Sequence, residues 1–282
     1  MNRKIAFMYD FDRTLCTQDM QNYGFIPGLG MSASAFWSEV GKQTLEHQMD
    51  PILSYLYYMT AKSKERGLPL TREYLNSLGK GIELYPGVET WFKRTKEYGE
   101  KLGLTVEHYV ISSGLEEIIE GTPIAPCFNR IYASRFHYGT DGIADWPSVS
   151  INFTNKTQFL FRIHKGIMEV SDDRINEYMP DDEIAVPYTN MLYFGDGMTD
   201  VPCMSLVKRN GGHSIAVYAD NTEHPRKLVE QNRVNYTAKA DYSEGSRLEE
   251  IVFRIMDSIA LHENLDDLQA SENKTLHTNK GE

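Results

Sequence analysis

Cysteine is scarce in this chain of 282 residues, and positive charge is not concentrated anywhere along it. The three cysteines, Cys16, Cys127 and Cys203, show no CxxC spacing, and one of them is necessarily unpaired. This pattern favours a reducing compartment over a disulfide scaffold, and we expect a cytoplasmic protein. The 29 Lys and Arg against 40 Asp and Glu give a net charge of −11 without a basic cluster, which argues against nucleic acid as a partner.

Long apolar runs are also missing. The first run covers only residues 5–9, whereas a secretory signal needs roughly 7–15 apolar residues and a membrane span about 20. We therefore expect neither export nor a membrane partner. The 41% of hydrophobic and 24% of charged residues are typical of a globular protein. The length exceeds the usual single domain of about 100–200 residues, which leaves one large domain or a domain with an insertion.

Short β-branched or aromatic segments alternate with segments of helical periodicity. The predicted strands are residues 5–9, 106–111, 131–134, 191–194 and 214–218. Helices are predicted between most of them, at 86–102, 156–170 and 199–209. A β-hairpin is predicted at 136–153 and an acidic, solvated loop at 172–183. The alternation predicts an α/β fold with a doubly wound, mainly parallel, Rossmann-like sheet.

The interval between the first two predicted strands is too long for a single crossover. A βαβ unit takes about 30 residues, and residues 10–105 far exceed that length. Helices are predicted inside the surplus at 33–44, 48–64 and 71–78. We therefore expect a core of residues 1–15 and 86–265, a helical subdomain inserted at 16–85, and a flexible, frayed tail at 266–282.

Two pairs of aspartates follow predicted strands. Asp10 and Asp12 stand two residues apart after the first strand, where strand periodicity aims both to one side. Asp196 and Asp200 follow the fourth strand, beside glycines that permit close backbone approach. Taken alone, each pair could equally cap a helix or shape a turn. In a doubly wound sheet, however, ligands bind at the carboxyl ends of strands beside the switch point, so we expect the pairs to converge.

Converging carboxylates require a cation. Two of them about 4 Å apart repel by about 4 kcal/mol at an effective dielectric constant of about 20. Oxygen-only ligands suit Mg²⁺ rather than zinc, and the sequence has no HExxH or paired-cysteine zinc spacing. We therefore expect Mg²⁺ as the cofactor.

Two further strand ends offer groups that suit an anion. Ser112, Ser113 and Gly114 precede a predicted helix, so a hydroxyl and free backbone N–H groups would face the cleft at a positive helix end. Lys156 stands at the start of another helix, where the helix dipole mildly disfavours a cation. Its position there therefore hints at an anionic target. The ordinary alternatives are a serine N-cap and a surface lysine.

Four motifs thus follow alternating strands in a fixed order: Asp10-x-Asp12-x-Thr14, Ser112, Lys156 and Gly195-Asp196-Gly197-x-x-Asp200. Together they resemble the haloacid dehalogenase (HAD) superfamily, and most closely its phosphoserine-phosphatase-like phosphatases. The resemblance covers residues 5–218, and the inserted helices occupy the place of that family's C1 cap. Arg13 and Thr199 depart from the commonest pattern, which has a small residue and Asn at these positions.

The resemblance implies a Mg²⁺-dependent phosphatase that hydrolyses a small-molecule phosphate monoester through an aspartyl-phosphate intermediate. It implies Asp10 as the nucleophile and Asp12 as the group that protonates the leaving oxygen and then deprotonates water. Asp10, the main-chain carbonyl of Asp12 and Asp196 would hold the metal.

Other residues are implied to bind or orient the phosphate: Thr14, Ser112, Ser113, Gly114, Lys156 and Asp200. Ser112 and Lys156 would also act in catalysis, by donating to a phosphoryl oxygen and by neutralising developing charge. Asp200 would orient Lys156 or a metal-bound water, and Thr14 would steady the loop that holds Asp12. The expected partner is a small phosphorylated metabolite, and the oligomeric state stays open.

Two other functions stay open: a phosphotransferase or mutase of the same fold, and a catalytically silent protein that binds phosphorylated ligands. Asp12 favours ester hydrolysis, because a dehalogenase lacks this second Asp and a P-type ATPase has Thr in its place. In the inserted helices, Arg66, Arg72 and Glu83 are candidates for substrate contact, with surface charge as the simpler interpretation. The aromatic residues there are expected to pack helices: Phe36, Trp37 and residues 55–58.

Overall fold

The computed structural model describes residues 3–220 and 223–278. Within these ranges the strands are β1 (Lys4–Tyr9), β2 (Thr105–Leu115), β3 (Arg130–Tyr138), β4 (Ala144–Val149), β5 (Met191–Gly195), β6 (His213–Tyr218) and β7 (Tyr236–Lys239). The α-helices there are α1 (Phe25–Gly28), α2 (Ala33–His47), α3 (Pro51–Glu65), α4 (Arg72–Leu78), α5 (Val88–Lys101), α6 (Glu116–Glu120), α7 (Thr157–Lys165), α8 (Val201–Arg209), α9 (Glu223–Glu230) and α10 (Arg247–Thr278).

These strands form one sheet in the order β4-β3-β2-β1-β5-β6-β7. β4 pairs with β3 in the antiparallel sense, and the other neighbours are parallel. The chain runs from β1 outwards to β3 and then returns to β5 on the other side of β1, which confirms the doubly wound α/β fold. The switch point lies between β1 and β5, and their carboxyl ends open onto one crevice.

Alternate residues of β1 face two separate apolar cores. Phe7 and Tyr9 belong to the core that contains Trp91 of α5. Met8 belongs to the core that contains Phe159 of α7. Because helices cover both faces of the strand, its sequence is a nearly continuous apolar run without polar alternation.

The inserted segment between β1 and α5 contains α1 to α4. Three of its helices begin at side-chain caps. The Ser32 hydroxyl accepts a hydrogen bond from the Ala35 amide, the Asp50 carboxylate from the Ile52 amide and the Thr71 hydroxyl from the Tyr74 amide. The predicted helices at 33–44, 48–64 and 71–78 correspond to α2, α3 and α4. The division into a core and a cap at residues 16–85 stays a prediction; below, "the cap" means these residues.

Three elements around the sheet differ from the predictions. The helix predicted at 156–170 ends at Lys165, because Gly166 adopts a left-handed φ of 72° that ends a helix. The strand predicted at 106–111 continues to Leu115, so Ser112 and Gly114 lie within β2 and not between a strand and a helix. β7 has no counterpart among the predicted strands, because four residues are too few for a clear alternation.

The end of the chain is helical where we expected a frayed tail. α10 runs through Thr278, and residues 279–282 lie outside the described residues. Residues 266–278 contain neither Gly nor Pro and include Leu, Gln, Ala, Glu and Lys, which favour continuation of a helix. Among the described helices, none combines the length and the apolar character needed to cross a membrane.

Candidate active site

The loop after β1 begins inside the sheet and turns sharply. The Asp10 amide donates to the carbonyl of Phe194 at 2.9 Å, which continues the pairing of β1 with β5 and buries Asp10 to 6% exposure. Arg13 then adopts a φ of 56°, and the Leu15 amide donates to the Phe11 carbonyl at 2.9 Å. A left-handed conformation is costly for a side chain such as that of Arg13, whose guanidinium is held by the Asp19 carboxylate.

Lys156 bridges two aspartates at the switch point. Its Nζ atom donates to Oδ1 of Asp10 and to Oδ1 of Asp200, both at 2.8 Å, and the lysine is 1% exposed. Asp200 also accepts from the Tyr193 hydroxyl at 2.8 Å and from the Gly197 amide at 3.3 Å. Two carboxylates therefore compensate one buried ammonium, which excludes the surface-lysine alternative.

Carboxylates converge here as the sequence predicted. Oxygens of Asp10, Asp196 and Asp200 lie within 4.8 Å of one another. Burial raises the pKa of Asp10 to about 6 against the opposing effect of Lys156, and burial with the charges of Asp200 and Asp10 raises the pKa of Asp196 to about 8. The site thus holds more negative charge than Lys156 balances, and an all-oxygen donor set of this kind fits Mg²⁺.

Burial alone would lower the pKa of Lys156, but the carboxylates of Asp10 and Asp200 outweigh it and raise this pKa. The ammonium is therefore charged across the neutral range. Burial and then the charge of Asp10 hold the pKa of Asp12 well above its usual range, which favours a protonated carboxyl. Asp12, whose carboxyl group can donate a proton, thus lies two residues from Asp10, whose carboxylate is paired with Lys156.

The first turn of the cap contacts Asp12 directly. The Met20 amide donates to Oδ1 of Asp12 at 2.9 Å, and the Met20 sulfur accepts from the Leu115 amide at 3.1 Å. A Cβ atom on Gly114 would collide with the end of the Met20 side chain, so glycine gives this turn its place against β2. The sequence offered no motif for Met20, because its role depends on packing.

The predicted phosphate-binding groups occupy the end of β2. The Ser112 hydroxyl accepts a hydrogen bond from the Gly114 amide at 3.0 Å. We expected this amide to be free, and it is not. The Ser113 hydroxyl is buried and has no hydrogen-bond partner among the described residues, whereas its carbonyl accepts from the Tyr55 hydroxyl of α3 at 2.6 Å. The Thr14 hydroxyl likewise has no partner there, and its carbonyl accepts from Tyr242 at 2.8 Å.

A cleft of about 650 Å³ opens over these groups. Its lining includes Asp10, Asp12, Ser112, Ser113, Gly114, Lys156 and Asp196. Thr14 and Asp200 are buried beneath them. The structure therefore brings the predicted site residues into one region of the molecule.

The cap supplies the opposite wall of the cleft, but not through the charged residues that the sequence suggested. Arg72 pairs with Glu120 at 2.7 Å, and Arg66 and Glu83 do not line the cleft. Trp37 and Tyr55 do line it, and they also pack against each other within the cap as expected. The sequence predicted that both residues pack against helices of the cap. It could not show that this packing surface also borders the cleft.

The sheet order, the inserted helices and the acidic cleft define the class: the chain has the HAD-like fold of phosphoserine phosphatases and related hydrolases. A HAD family hydrolase from Salmonella enterica serovar Typhi superposes with a TM-score of 0.58 at 17% identity, over 89% of this chain and 70% of that protein. A substrate-bound phosphoserine phosphatase gives a TM-score of 0.55 at 15% identity, over 89% of this chain and 98% of that protein.

Two further comparisons complete this picture. A probable phosphoserine phosphatase from Vibrio cholerae gives a TM-score of 0.57 at 12% identity, over 94% of this chain and 67% of that protein. In sequence, an uncharacterized protein of Borreliella burgdorferi is 27% identical over 274 residues, which cover 86% of this chain and 93% of that protein. No protein-family model matches the chain. At these identities the solved structures show the shared fold.

Proposed function

We propose that the protein is a Mg²⁺-dependent phosphatase that hydrolyses a small phosphate monoester through an aspartyl-phosphate intermediate. The observation that carries the proposal is the buried contact of Lys156 with Asp10 and Asp200, in the cleft that Asp12 also lines. Burial and then the charge of Asp10 raise the pKa of Asp12, which favours the proton donor that the reaction needs. A nucleophile and a proton donor thus face one cleft. The names of similarly folded proteins, phosphoserine phosphatases among them, agree with this chemistry.

The two carboxyl groups take different parts in the reaction. A carboxylate oxygen of Asp10 attacks phosphorus while the bond to the leaving oxygen breaks, and Asp12 gives that oxygen its proton. The ionised Asp12 then takes a proton from water, and the resulting hydroxide displaces Asp10 from phosphorus. Inorganic phosphate leaves, and both carboxyl groups return to their starting states.

In the proposed reaction the phosphoryl group would be held by Lys156, Ser112 and Ser113, which line the cleft. The ammonium of Lys156 is fixed by Asp10 and Asp200, so it can stabilise negative charge without reorganising. The Ser113 hydroxyl is buried without a partner among the described residues and can donate to a phosphoryl oxygen. Bound Mg²⁺ would offset the charge of the phosphate and of the carboxylate that attacks it. Asp10, Asp196 and the backbone carbonyl of Asp12 would hold it.

The central test is the substitution Asp10→Asn. Asparagine keeps the size of the side chain and an oxygen for Lys156, but it is a far weaker nucleophile. We expect phosphate release from a monoester with Mg²⁺ to fall by at least about a thousandfold, with an unchanged circular dichroism spectrum. The matched control is Asp173→Asn, which alters an exposed acid outside the cleft and should retain activity. Turnover of Asp10→Asn near that of the wild type would show that Asp10 is not the nucleophile.

The same assay separates hydrolysis from phosphoryl transfer. Quantitative recovery of free phosphate in the presence of an added alcohol supports a phosphatase. Recovery of a new phosphate ester of that alcohol would instead indicate a phosphotransferase or mutase. Binding of a monoester without any turnover by the wild type would indicate a silent binding protein.

A further inference from the structure

The positive groups of the cleft are already engaged by carboxylates of the protein. Among the described residues that line it, the cationic side chains are Lys156 and Arg13. Lys156 is held by Asp10 and Asp200. Arg13 donates from two nitrogens to Asp19, at 3.1 and 2.8 Å. Beyond the phosphate-binding end, the cleft therefore offers no free cation to a negatively charged leaving group.

The wall that the cap contributes is largely apolar. It includes Trp37, Val40, Leu45, Pro51, Ile52 and Tyr55. Leu45 lines the cleft and is 82% exposed. Thr44, a polar residue of the same wall, donates its hydroxyl hydrogen to the carbonyl of Val40 at 2.8 Å. The charged residue of this wall, Asp19, is paired with Arg13. The wall therefore suits an apolar ligand group and offers little to compensate a charge.

Gln21 is a polar residue of this wall whose hydrogen-bonding capacity is not satisfied within the described part of the chain. It is 2% exposed and lines the cleft, and its Oε1 atom is buried without a hydrogen-bond partner among the described residues. A buried amide oxygen without a donor is costly, and proteins rarely leave one in that state without a use. Gln21 directly follows Met20, whose amide holds Asp12, the group that protonates the leaving oxygen in our proposal. Gln21 is thus adjacent in sequence to the residue that holds the group acting on the leaving alcohol.

We infer that the substrate is a phosphate monoester of an uncharged, largely apolar alcohol, which packs against the cap and donates one hydrogen bond to Oε1 of Gln21. This inference rests on the proposed phosphatase function. Phosphoserine fits poorly, because its carboxylate would enter the apolar part of the cleft without a free cation. The cap carboxylate that lines the cleft, Asp19, is already paired with Arg13 and is not free for the ammonium group. Burying a charge without a partner weakens binding strongly.

Two substrates with similar leaving groups test the substrate class. Benzyl phosphate and phosphoserine are both esters of primary alcohols, so intrinsic reactivity differs little between them. We expect kcat/KM with Mg²⁺ to be at least about tenfold higher for benzyl phosphate, as removal of an uncompensated buried charge predicts. A preference for phosphoserine would overturn the inference and leave the phosphatase proposal standing. Release of phosphate from neither ester, nor from any other monoester, would refute both.

A matched pair of variants tests the role of Gln21. Gln21→Met keeps the length of the side chain and removes its hydrogen-bonding group. We expect the ratio of kcat/KM for 4-(hydroxymethyl)benzyl phosphate to that for benzyl phosphate to fall about five- to tenfold, the effect of one buried neutral hydrogen bond. The control Gln231→Met alters an exposed glutamine outside this cleft and should leave the ratio unchanged. An unchanged ratio in Gln21→Met would contradict the assigned contact.

Discussion

Asp200 shows how much of the site depends on a single fully buried side chain. It accepts hydrogen bonds from Lys156, Tyr193 and the amide of Gly197, and thereby fixes the ammonium that contacts Asp10. The space for this carboxylate exists because residue 195 is glycine: a Cβ atom there would lie 2.5 Å from Cγ of Asp200. Asp200 stands at the N-cap position of α8, but its side chain makes no capping hydrogen bond to that helix, so the capping alternative does not account for it.

Two neighbouring glycines provide a test at this scale. Gly195→Ala should displace Asp200, lower activity by about a hundredfold or more because Lys156 loses its position, and destabilise the fold by about 1–3 kcal/mol. In Gly197→Ala the nearest atom would lie at 3.6 Å, and stability should change by no more than about 0.5 kcal/mol. Steady-state kinetics and urea unfolding of both variants check this. Equal effects of the two substitutions would contradict it.

At the scale of elements, β1, β2 and α5 meet around a buried histidine. His108 of β2 is fully buried, its Nδ1 lies 3.2 Å from the Tyr9 hydroxyl, and its Nε2 lies 3.4 Å from the Thr95 hydroxyl. The ring also packs edge-on against Phe7 and Phe92. Burial lowers the pKa of His108 to about 3, so the ring is neutral in the folded state. The packing of these elements therefore depends on pH.

The sign of that dependence follows from linkage. The unfolded histidine has a pKa of about 6.5, so between that value and about 3 the unfolded state binds more protons. The contribution of His108 to stability is complete above about pH 6.5 and is lost, by at most about 1.4 kcal/mol per pH unit, as the pH falls. Carboxyl groups with raised pKa values, such as Asp10, act in the opposite direction, so wild type must be compared with a variant.

His108→Phe removes the titrating ring and keeps an aromatic side chain of similar shape. The unfolding free energy of wild type minus that of His108→Phe should decrease as the pH falls from 7 to 5. Denaturant unfolding in the presence of a chelator at several pH values measures this difference. The exposed histidine in His47→Gln serves as the control and should reproduce the wild-type profile. A difference that does not vary with pH would contradict the assigned neutral state.

At the scale of the whole molecule, the cap and the sheet meet across the crevice through few polar contacts. The Met20 amide holds Asp12, and the Tyr55 hydroxyl donates to the Ser113 carbonyl. Asn152, four residues before Lys156, donates to the Asp50 carboxylate that caps α3, at 2.9 Å. These contacts end on Asp12, on Ser113 of β2 and on the loop before Lys156, so the cap is held against groups that line the cleft or adjoin it.

We expect the convergent carboxylates to make the stability of the whole molecule sensitive to metal. A ligand that binds only the folded state at about 100 times its Kd adds about 2.7 kcal/mol, and we expect Mg²⁺ to raise the Tm by several degrees. Asp196→Asn should lose most of this shift. Without metal it should be at least as stable as the wild type, because burial and the charges of Asp200 and Asp10 oppose ionisation of Asp196, and an amide carries no such cost.

Differential scanning calorimetry with and without Mg²⁺ measures both effects. Asp173→Asn is again the control and should show the full shift. A Tm that does not respond to Mg²⁺ in the wild type would contradict a metal site at these residues.

Local patterns in the sequence were sufficient for the α/β fold, the inserted helices and the convergence of the aspartates. The periodicity of strands and helices can be recognised within a few residues. Because ligands bind at the carboxyl ends of strands beside the switch point, the strand order also predicts where Asp10 and Asp196 lie. The same local logic failed at the end of the chain, where the polar composition of residues 266–278 predicted a frayed tail although the residues there favour a helix, and α10 continues through them.

The tertiary structure alone decided which groups are engaged and which are free. Lys156 and Asp10 lie 146 positions apart in the sequence, and their contact depends on how α7 packs against the sheet. No sequence motif marks Gln21 or the apolar face of the cap. The role that we infer for Gln21 rests on its buried Oε1 atom, which has no hydrogen-bond partner among the described residues. Periodicity reports which face of an element is apolar, whereas only the packing of elements shows whether that face meets a core or a substrate.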